Sequence, residues 1–214
     1  MFCEVNVVEK ISRDKLIAII RGFGPDDAMQ IAKALHAGGI NILEVTMNST
    51  QPLKTIEQIA SEMGDQVVVG AGTVLDSEST RAAIAAGAEF IISPILDVET
   101  IKITKRYGKV SIPAALTPTE ILQAFTEGGD IVKVFPAATL GPDYIKHLRG
   151  PMPQLKLLPT GGINLDNVDE FLQKGAAGVG LGGSLVNQTD QVTEDYLQKM
   201  TYKAEQFVAK VQNS

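Results

Sequence analysis

Eight short apolar segments recur along this chain of 214 residues, at intervals of roughly 20 to 26 residues. Their apolar character is nearly uninterrupted, which is typical of parallel strands that are covered by helices on both faces. The segments predict strands at Leu16–Arg21, Ile42–Met47, Gln66–Gly72, Phe90–Pro94, Val110–Leu116, Ile131–Ala137, Leu155–Gly162 and Ala177–Gly183.

Helix signals separate these segments. The stretch GPDDAMQIAKALHAGG has a proline and two aspartates where a helix begins and a glycine pair where it ends. The stretch TPTEILQAFTEGG repeats this order with threonines and a glutamate. A further helix is predicted before the first strand, around Val5–Asp14, and a last one at about Thr193–Val211.

Eight consecutive strand–helix units predict an α/β fold, a single-domain (β/α)8 TIM barrel over residues 1–214 with an extra N-terminal helix. An open, doubly wound sheet is the alternative, but it typically uses fewer strands. No linker and no shift in composition indicates a second domain.

Composition and charge exclude several classes of function. The net charge is −6, and no basic run with interleaved aromatic residues occurs, which argues against nucleic-acid binding. No apolar run approaches the roughly 18 residues of a membrane span, and no N-terminal segment has the order of a signal peptide. We therefore expect a protein without membrane or nucleic-acid partners.

The few cysteine and histidine residues bear on the redox state of the compartment and on metal binding. Cys3 is the single cysteine, so it has no internal disulfide partner, which fits a reducing cytoplasm; we interpret it as a bystander. His36 and His147 fall in separate predicted helices, far from any Cys/His/Asp cluster, so neither a metal site nor a cofactor is predicted.

Lys133 is the most informative polar residue of the predicted strands. Barrel active sites lie at the carboxyl ends of the strands, and alternation places Ile131, Lys133 and Phe135 on one strand face. If that face points inward, the amine loses its water and its pKa falls, which makes it a nucleophile for a carbonyl. A structural ion pair is the alternative.

Glu44 lies in a similar setting in ILEVT, with Ile42 and Thr46 on its face. An inward carboxylate within reach of Lys133 is suited to shuttling protons during chemistry at the amine. It could equally neutralise the lysine as a structural partner.

Glycine-rich segments follow the last two predicted strands, where barrels often bind phosphate. TGGIN (Thr160–Asn164) and GLGGS (Gly180–Ser184) expose backbone N–H groups that suit an anion, although tight turns alone also require glycine. Arg21 ends the first predicted strand at the same rim, where it could bind a carboxylate or phosphate or simply lie at the surface.

The segments IIRG, LEVT, GAGTVL, ISP, IPA, VKVFPA, LPTGGI and GLGGS, from about Leu16 to Leu185, resemble the 2-keto-3-deoxy-6-phosphogluconate / 4-hydroxy-2-oxoglutarate aldolase family. The resemblance implies a homotrimeric barrel of class I aldolases in carbohydrate metabolism. Such enzymes cleave 2-keto-3-deoxy-6-phosphogluconate to pyruvate and glyceraldehyde 3-phosphate through a lysine Schiff base. The resemblance extends to cleavage of 4-hydroxy-2-oxoglutarate to pyruvate and glyoxylate.

The resemblance also implies roles for individual residues. Lys133 would form the Schiff base and Glu44 would be the acid and base. Thr73 would hold the pyruvyl carboxylate, Phe135 would pack beside the imine, and Thr160 would lie near the substrate hydroxyls. The phosphate end is expected to consist of Arg21, Gly161, Gly162, Gly182, Gly183 and Ser184.

One position departs from the gluconate branch of the family, which typically carries an arginine in LEVTLR for carboxylate binding. This chain reads LEVTMN, so Asn48 is the candidate at that end. The segments RGFGPDDA, MNS and LGPDYIK resemble the branch acting on the galactonate epimer, whereas Thr160 resembles the gluconate branch. Both epimers stay open as substrates.

Two other classes of function remain open from the residues. A sugar-phosphate isomerase or epimerase would use Glu44 for enolisation and Lys133 only as a cation, without a covalent intermediate. A non-catalytic module would bind an anionic metabolite, but such a module has no need for a desolvated amine.

Overall fold

The computed structural model describes residues 6–188 and 191–212, so Cys3 lies outside the described residues. Strands and helices alternate along the chain. The strands are β1 (Leu16–Ile20), β2 (Ile42–Thr46), β3 (Val68–Gly72), β4 (Phe90–Ile92), β5 (Val110–Ile112), β6 (Ala114–Ala115), β7 (Val132–Val134), β8 (Leu157–Pro159) and β9 (Val179–Leu181). The helices are α1 (Val7–Asp14), α2 (Pro25–Ala37), α3 (Pro52–Met63), α4 (Ser77–Ala85), α5 (Val98–Arg106), α6 (Pro118–Thr126), α7 (Pro142–Arg149), α8 (Val168–Gln173) and α9 (Glu194–Gln212).

The parallel sheet closes on itself. Its hydrogen-bonded orders are β5-β4-β3-β2-β1-β9 and β6-β7-β8. A parallel bridge between Thr160 and Gly180 joins β8 to β9, and the Lys133 N–H donates to the Pro113 carbonyl at 2.9 Å, which joins β7 to the β5–β6 segment. The predicted (β/α)8 barrel is confirmed, and the alternative of an open sheet is wrong.

Pro113 explains why the structure divides one predicted strand into two; several other strands are shorter than predicted. The segment Val110–Leu116 was expected as one strand, but it forms β5 and β6 on either side of this proline. Proline has no N–H to donate to a neighbouring strand, so the ladder is interrupted there while the chain keeps its direction.

The predicted N-terminal helix is α1, and it closes the amino-terminal end of the barrel. The Asn6 side chain accepts hydrogen bonds from the N–H groups of Val8 and Glu9, which caps the first turn. Ile11 is fully buried in the same cluster as the inward side chains of the strands.

Apolar side chains fill the lower part of the barrel. The inward residues belong to alternate strand positions, and those that form this cluster with Ile11 are Ile17, Ile42, Phe90, Ile92, Ile112, Ile131 and Leu158. Gly70 faces the same interior, and a Cβ at Gly70 would collide with the Phe90 ring. The absence of a side chain at Gly70 therefore admits the largest side chain of the barrel floor.

Among the described residues, none of the helices combines the length and the apolar character needed to cross a bilayer.

Replacing Phe90 by alanine is expected to lower the free energy of unfolding by about 3–5 kcal/mol, because the ring is fully buried and leaves a cavity. Urea denaturation measures this change. Tyr202→Ala is the control, since Tyr202 is 63% exposed and the expected change is under about 0.5 kcal/mol. Equal midpoints for Phe90→Ala and wild type would contradict a packed barrel floor.

Candidate active site

A cavity of about 260 Å³ lies at the carboxyl ends of the strands. Ten of the twelve predicted site residues line it, and Glu44 and Asn48 do not. The lining consists of Ile19, Arg21, Thr73, Pro94, Lys133, Phe135, Thr160, Gly161, Gly162, Ile163, Asn164, Gly182, Gly183 and Ser184.

Lys133 presents its amine to this cavity from β7. Its backbone pairs with Ala114 on one side and Leu158 on the other, so the strand position is held from both neighbours. The residue is 4% exposed, and Nζ lies 5.0 Å from the centroid of the Phe135 ring. Burial lowers the pKa of the Lys133 amine; the Glu44 carboxylate opposes this, and the Arg21 charge adds to it.

Glu44 faces the same interior from β2, on the opposite side of the barrel. In either direction around the barrel, three strand positions separate β2 from β7, with β5 and β6 counted as one. Glu44 is 1% exposed, and burial raises the pKa of its carboxyl group, whereas the charges of Lys133 and Arg21 lower it.

The Glu44 carboxylate reaches towards the rim through space that a glycine leaves. A Cβ at Gly72, on the neighbouring strand, would collide with the Glu44 carboxylate. The Oε1 atom of Glu44 has no hydrogen-bond partner within the described part of the chain. Glu44 and Lys133 therefore influence each other electrostatically without a direct ion pair among the described side chains, which disfavours the purely structural pair.

Arg21 is held on the β2–β3 side of the cavity. Its Nη2 donates to Thr73 Oγ1 at 3.3 Å, and its Nη1 donates to Asn48 Oδ1 at 3.2 Å. Thr73 has a positive φ of 56°, a left-handed conformation that is costly for a β-branched residue. Asn48 thus touches Arg21 and not the cavity itself.

The loops after β8 and β9 form the other end of the cavity. Gly161 and Gly162 have φ values of 92° and 76°, which strongly favour glycine. In the described residues, no hydrogen bond engages the N–H groups of Gly162, Ile163, Gly183 or Ser184.

Two side chains add polarity at this end. The Oγ of Ser184 is buried without a partner in the part of the chain that the structure describes. Thr160 is 5% exposed, and a Cβ at Gly180 would lie 2.5 Å from its Oγ1, so the glycine of β9 leaves room for the threonine. Unpaired N–H groups and a free hydroxyl at one end of a cavity suit an anion.

Four lining residues were not among the predicted site residues: Ile19, Pro94, Ile163 and Asn164. Ile19 is two positions before Arg21 on the same strand face, so alternation alone could have indicated it. The other three lie in the segments ISP and TGGIN, whose sequence gave no separate signal for them.

No group of three or more His, Cys, Asp or Glu side chains within residues 6–188 and 191–212 is placed to hold a metal ion.

Comparison with known proteins decides the family. Residues 7–202 match the family described as "Aldolase: KDPG and KHG aldolase". KDPG is 2-keto-3-deoxy-6-phosphogluconate, and KHG is 4-hydroxy-2-oxoglutarate. The chain belongs to this family. The resemblance seen in the sequence is confirmed, and this family member is an aldolase, a lyase.

Two relatives with different substrate names share the same percentage identity with this chain. A 2-dehydro-3-deoxy-6-phosphogalactonate aldolase of Escherichia coli strain K12 is 35% identical over 171 residues, which cover 79% of this chain and 83% of that protein. A 2-dehydro-3-deoxy-phosphogluconate aldolase of Treponema pallidum strain Nichols is 35% identical over 169 residues, which cover 78% of this chain and 80% of that protein.

A solved structure connects the family to covalent chemistry. It is the KDPG aldolase of Legionella pneumophila, with pyruvate captured at low pH as a covalent carbinolamine intermediate. Its sequence is 30% identical, its TM-score is 0.79, and the match covers 96% of both chains.

The two charges beside Lys133 are expected to move its titration in opposite directions. Arg21→Met removes a repelling cation and should raise the pKa of the amine, so its modification by acetic anhydride begins at higher pH. Glu44→Gln removes an attractive anion and should move the same curve to lower pH.

Peptide mass spectrometry of Lys133 measures both curves against wild type. Lys102, whose side chain is 52% exposed, serves as the internal control and should titrate alike in all three proteins. Shifts of Lys133 in the same direction in both variants would contradict this electrostatic arrangement.

Proposed function

We propose that this aldolase cleaves a 2-keto-3-deoxy-6-phospho sugar acid to pyruvate and glyceraldehyde 3-phosphate through a Schiff base on Lys133. The observation that carries the proposal is a buried amine of lowered pKa in a cavity that ends in unpaired N–H groups. The carbinolamine of the Legionella pneumophila relative supports the same chemistry.

The first half of the reaction forms the imine. The free amine of Lys133 attacks the C2 ketone, and its nitrogen loses a proton as the C2 oxygen gains one, which gives a carbinolamine. Glu44, whose raised pKa favours the protonated carboxyl group, donates a proton to the departing hydroxyl. Water leaves, and a protonated imine conjugated to the C1 carboxylate remains.

The second half breaks the C3–C4 bond. The C4 hydroxyl loses its proton to the Glu44 carboxylate or to a water bound by it, and C4 becomes the aldehyde carbon. The bonding pair passes into the iminium, which becomes an enamine. Protonation at C3 and addition of water then release pyruvate and restore the amine of Lys133.

The two ends of the cavity fit the two charged ends of such a substrate. Arg21 and Thr73, joined by a hydrogen bond, are proposed to hold the C1 carboxylate beside Lys133. This assignment replaces the expected place of Arg21 at the phosphate end, because its guanidinium is bonded on the β2–β3 side. Asn48 then acts on Arg21 instead of on substrate.

The glycine loops are proposed to bind the phosphate. Their members are Gly161, Gly162, Gly182, Gly183 and Ser184, and the unpaired N–H groups and the Ser184 hydroxyl supply donors. Phe135 packs beside the imine, since its ring already lies against the lysine amine. Thr160, which lines the same cavity, is proposed to lie near the substrate hydroxyls.

Among the possible substrates we favour 2-keto-3-deoxy-6-phosphogluconate, because Thr160 offers a side-chain hydroxyl at the sugar end, as in the gluconate branch. The galactonate epimer is the alternative. Arg21 and Asn48 lie in segments that resemble the galactonate branch, and they are hydrogen-bonded to each other where the gluconate branch carries the arginine of LEVTLR. Cleavage of 4-hydroxy-2-oxoglutarate is a further activity that the family name includes.

Assembly and location are proposals as well. A homotrimer is consistent with the exposed apolar side chains of Leu116, Leu122 and Phe125 on and beside α6, which would be covered in an assembly. The single domain over residues 1–214 and the cytoplasmic location remain predictions from the sequence.

Sodium borohydride with pyruvate is expected to attach a stable adduct to Lys133, detected by peptide mass spectrometry. Lys133→Met should abolish the adduct, and Lys102→Met, at an exposed position, should leave it unchanged. In Glu44→Gln, turnover should fall by a factor of about 10² or more while the protein stays folded. An adduct on another lysine, or none, would favour the isomerase alternative.

Turnover of the two epimers separates the substrate proposals. We expect a higher kcat/KM for 2-keto-3-deoxy-6-phosphogluconate than for the galactonate epimer, measured by coupling pyruvate release to lactate dehydrogenase. Thr160→Val should reduce this preference, because the variant removes the hydroxyl and keeps the shape. A preference for the galactonate epimer in wild type would overturn the choice of substrate and leave the lyase assignment intact.

A further inference from the structure

Asn167 breaks a local rule of helix formation. It is the N-cap residue of α8, a position where asparagine usually accepts a hydrogen bond from the first turn. Its side chain makes no such bond, whereas the N-cap side chains Asn6, Asp76, Asp97 and Thr117 all cap their own helices.

The Asn167 amide is bonded to the glycine loop after β8. Its Oδ1 accepts the N–H of Asn164 at 2.9 Å, and its Nδ2 donates to the carbonyl of Gly162 at 3.0 Å. Gly162 and Asn164 both line the cavity. One side chain outside the cavity thus holds both ends of a short lining segment.

The opposite side of the same loop is held by backbone bonds. The N–H of Ala137 donates to the Thr160 carbonyl at 2.9 Å, and the N–H of Ala138 donates to the Gly161 carbonyl at 3.0 Å. These bonds fix the loop as far as Gly161. Beyond it, the side-chain amide of Asn167 holds Gly162 and Asn164, and the Asn164 carbonyl also accepts the N–H of Val168 at 3.1 Å.

Such a support matters because this segment is glycine-rich. Two consecutive glycines in the left-handed region have many alternative conformations, and in this one Gly162 and Ile163 line the cavity with their N–H groups unpaired among the described residues. A loop that is ordered before binding avoids an entropic cost that the ligand would otherwise bear.

We propose that Asn167 is a positioning residue that pre-orders the Gly162–Asn164 loop for the phosphate group of the substrate. The inference rests on the proposed function, since it assigns this loop to phosphate. Asn167 touches neither the substrate nor the reacting atoms and acts through Gly162 and Asn164. It therefore affects the binding of phosphorylated ligands and leaves imine chemistry at Lys133 unchanged.

Asn167→Ala is expected to raise KM for 2-keto-3-deoxy-6-phosphogluconate about tenfold, with kcat within about twofold of wild type. The inhibition constant of inorganic phosphate should rise in parallel. The rate and concentration dependence of borohydride trapping with pyruvate, which has no phosphate, should stay unchanged.

Asn167→Asp tests the donor separately. It keeps an acceptor for the Asn164 N–H, cannot donate to the Gly162 carbonyl, and adds a negative charge beside the phosphate end. We expect KM and the phosphate inhibition constant to rise at least as much as in Asn167→Ala. Asn6→Ala, which removes a true cap from α1 away from the cavity, is the matched control and should leave both constants unchanged.

The outcomes separate this inference from the proposed function. An absent pyruvate adduct in wild type would overturn the proposed function. A normal adduct in wild type together with unchanged KM and phosphate inhibition in Asn167→Ala would overturn the positioning role alone. Equal losses of trapping, kcat and phosphate binding in both Asn167 variants would also overturn it, because they indicate a general structural defect.

Discussion

The active site depends on the burial of one amine and one carboxyl group in the same apolar barrel. Removing either charge from water costs several kcal/mol, and the lower barrel, filled by side chains such as Phe90, offers no compensation. Burial is the largest influence on both groups, so it raises the pKa of Glu44 and lowers that of Lys133. Each group partly offsets the cost of the other, because the charge of one stabilises the charge of the other across the cavity. Both shifts move the groups towards their uncharged forms, a free amine and a protonated carboxyl group, which are the forms that imine formation uses.

The glycines of β3 and β9 follow from what the barrel contains. Gly70 admits the Phe90 ring, Gly72 admits the Glu44 carboxylate, and Gly180 admits the Thr160 side chain. A closed barrel has a limited interior, so these three inward side chains need a small residue on a neighbouring strand. These glycines are thus set by packing. Gly161 and Gly162 are set by backbone conformation, and a Cβ at Gly162 would also collide with the Cβ of Ala138.

Arg21 illustrates how parallel strands share one rim. The family resemblance suggested that this chain lacks an arginine after its second strand, and Asn48 stands there instead. The structure places a guanidinium at the same side of the cavity from β1, held by Asn48 and Thr73. Neighbouring parallel strands end at one edge, so a charged group can be supplied by either strand. Asn48 and Asn167 are amides outside the cavity that are hydrogen-bonded to residues lining it.

Local pattern predicted much of the fold and site. The spacing of apolar runs predicted the strand–helix order, and period-two alternation predicted which residues share a strand face with Glu44 and with Lys133, since both signals depend only on residues close in sequence. The interruption of the fifth strand at Pro113 was missed, because an apolar run does not reveal a lost ladder bond. The contacts of Arg21 with Asn48 and Thr73 join residues 27 and 52 positions apart. The sequence by itself determined the order of strands and helices and which residues share a strand face. Only the closed tertiary structure decided which face points inward and which strand ends meet, because side-chain contacts across a barrel depend on its closure and register.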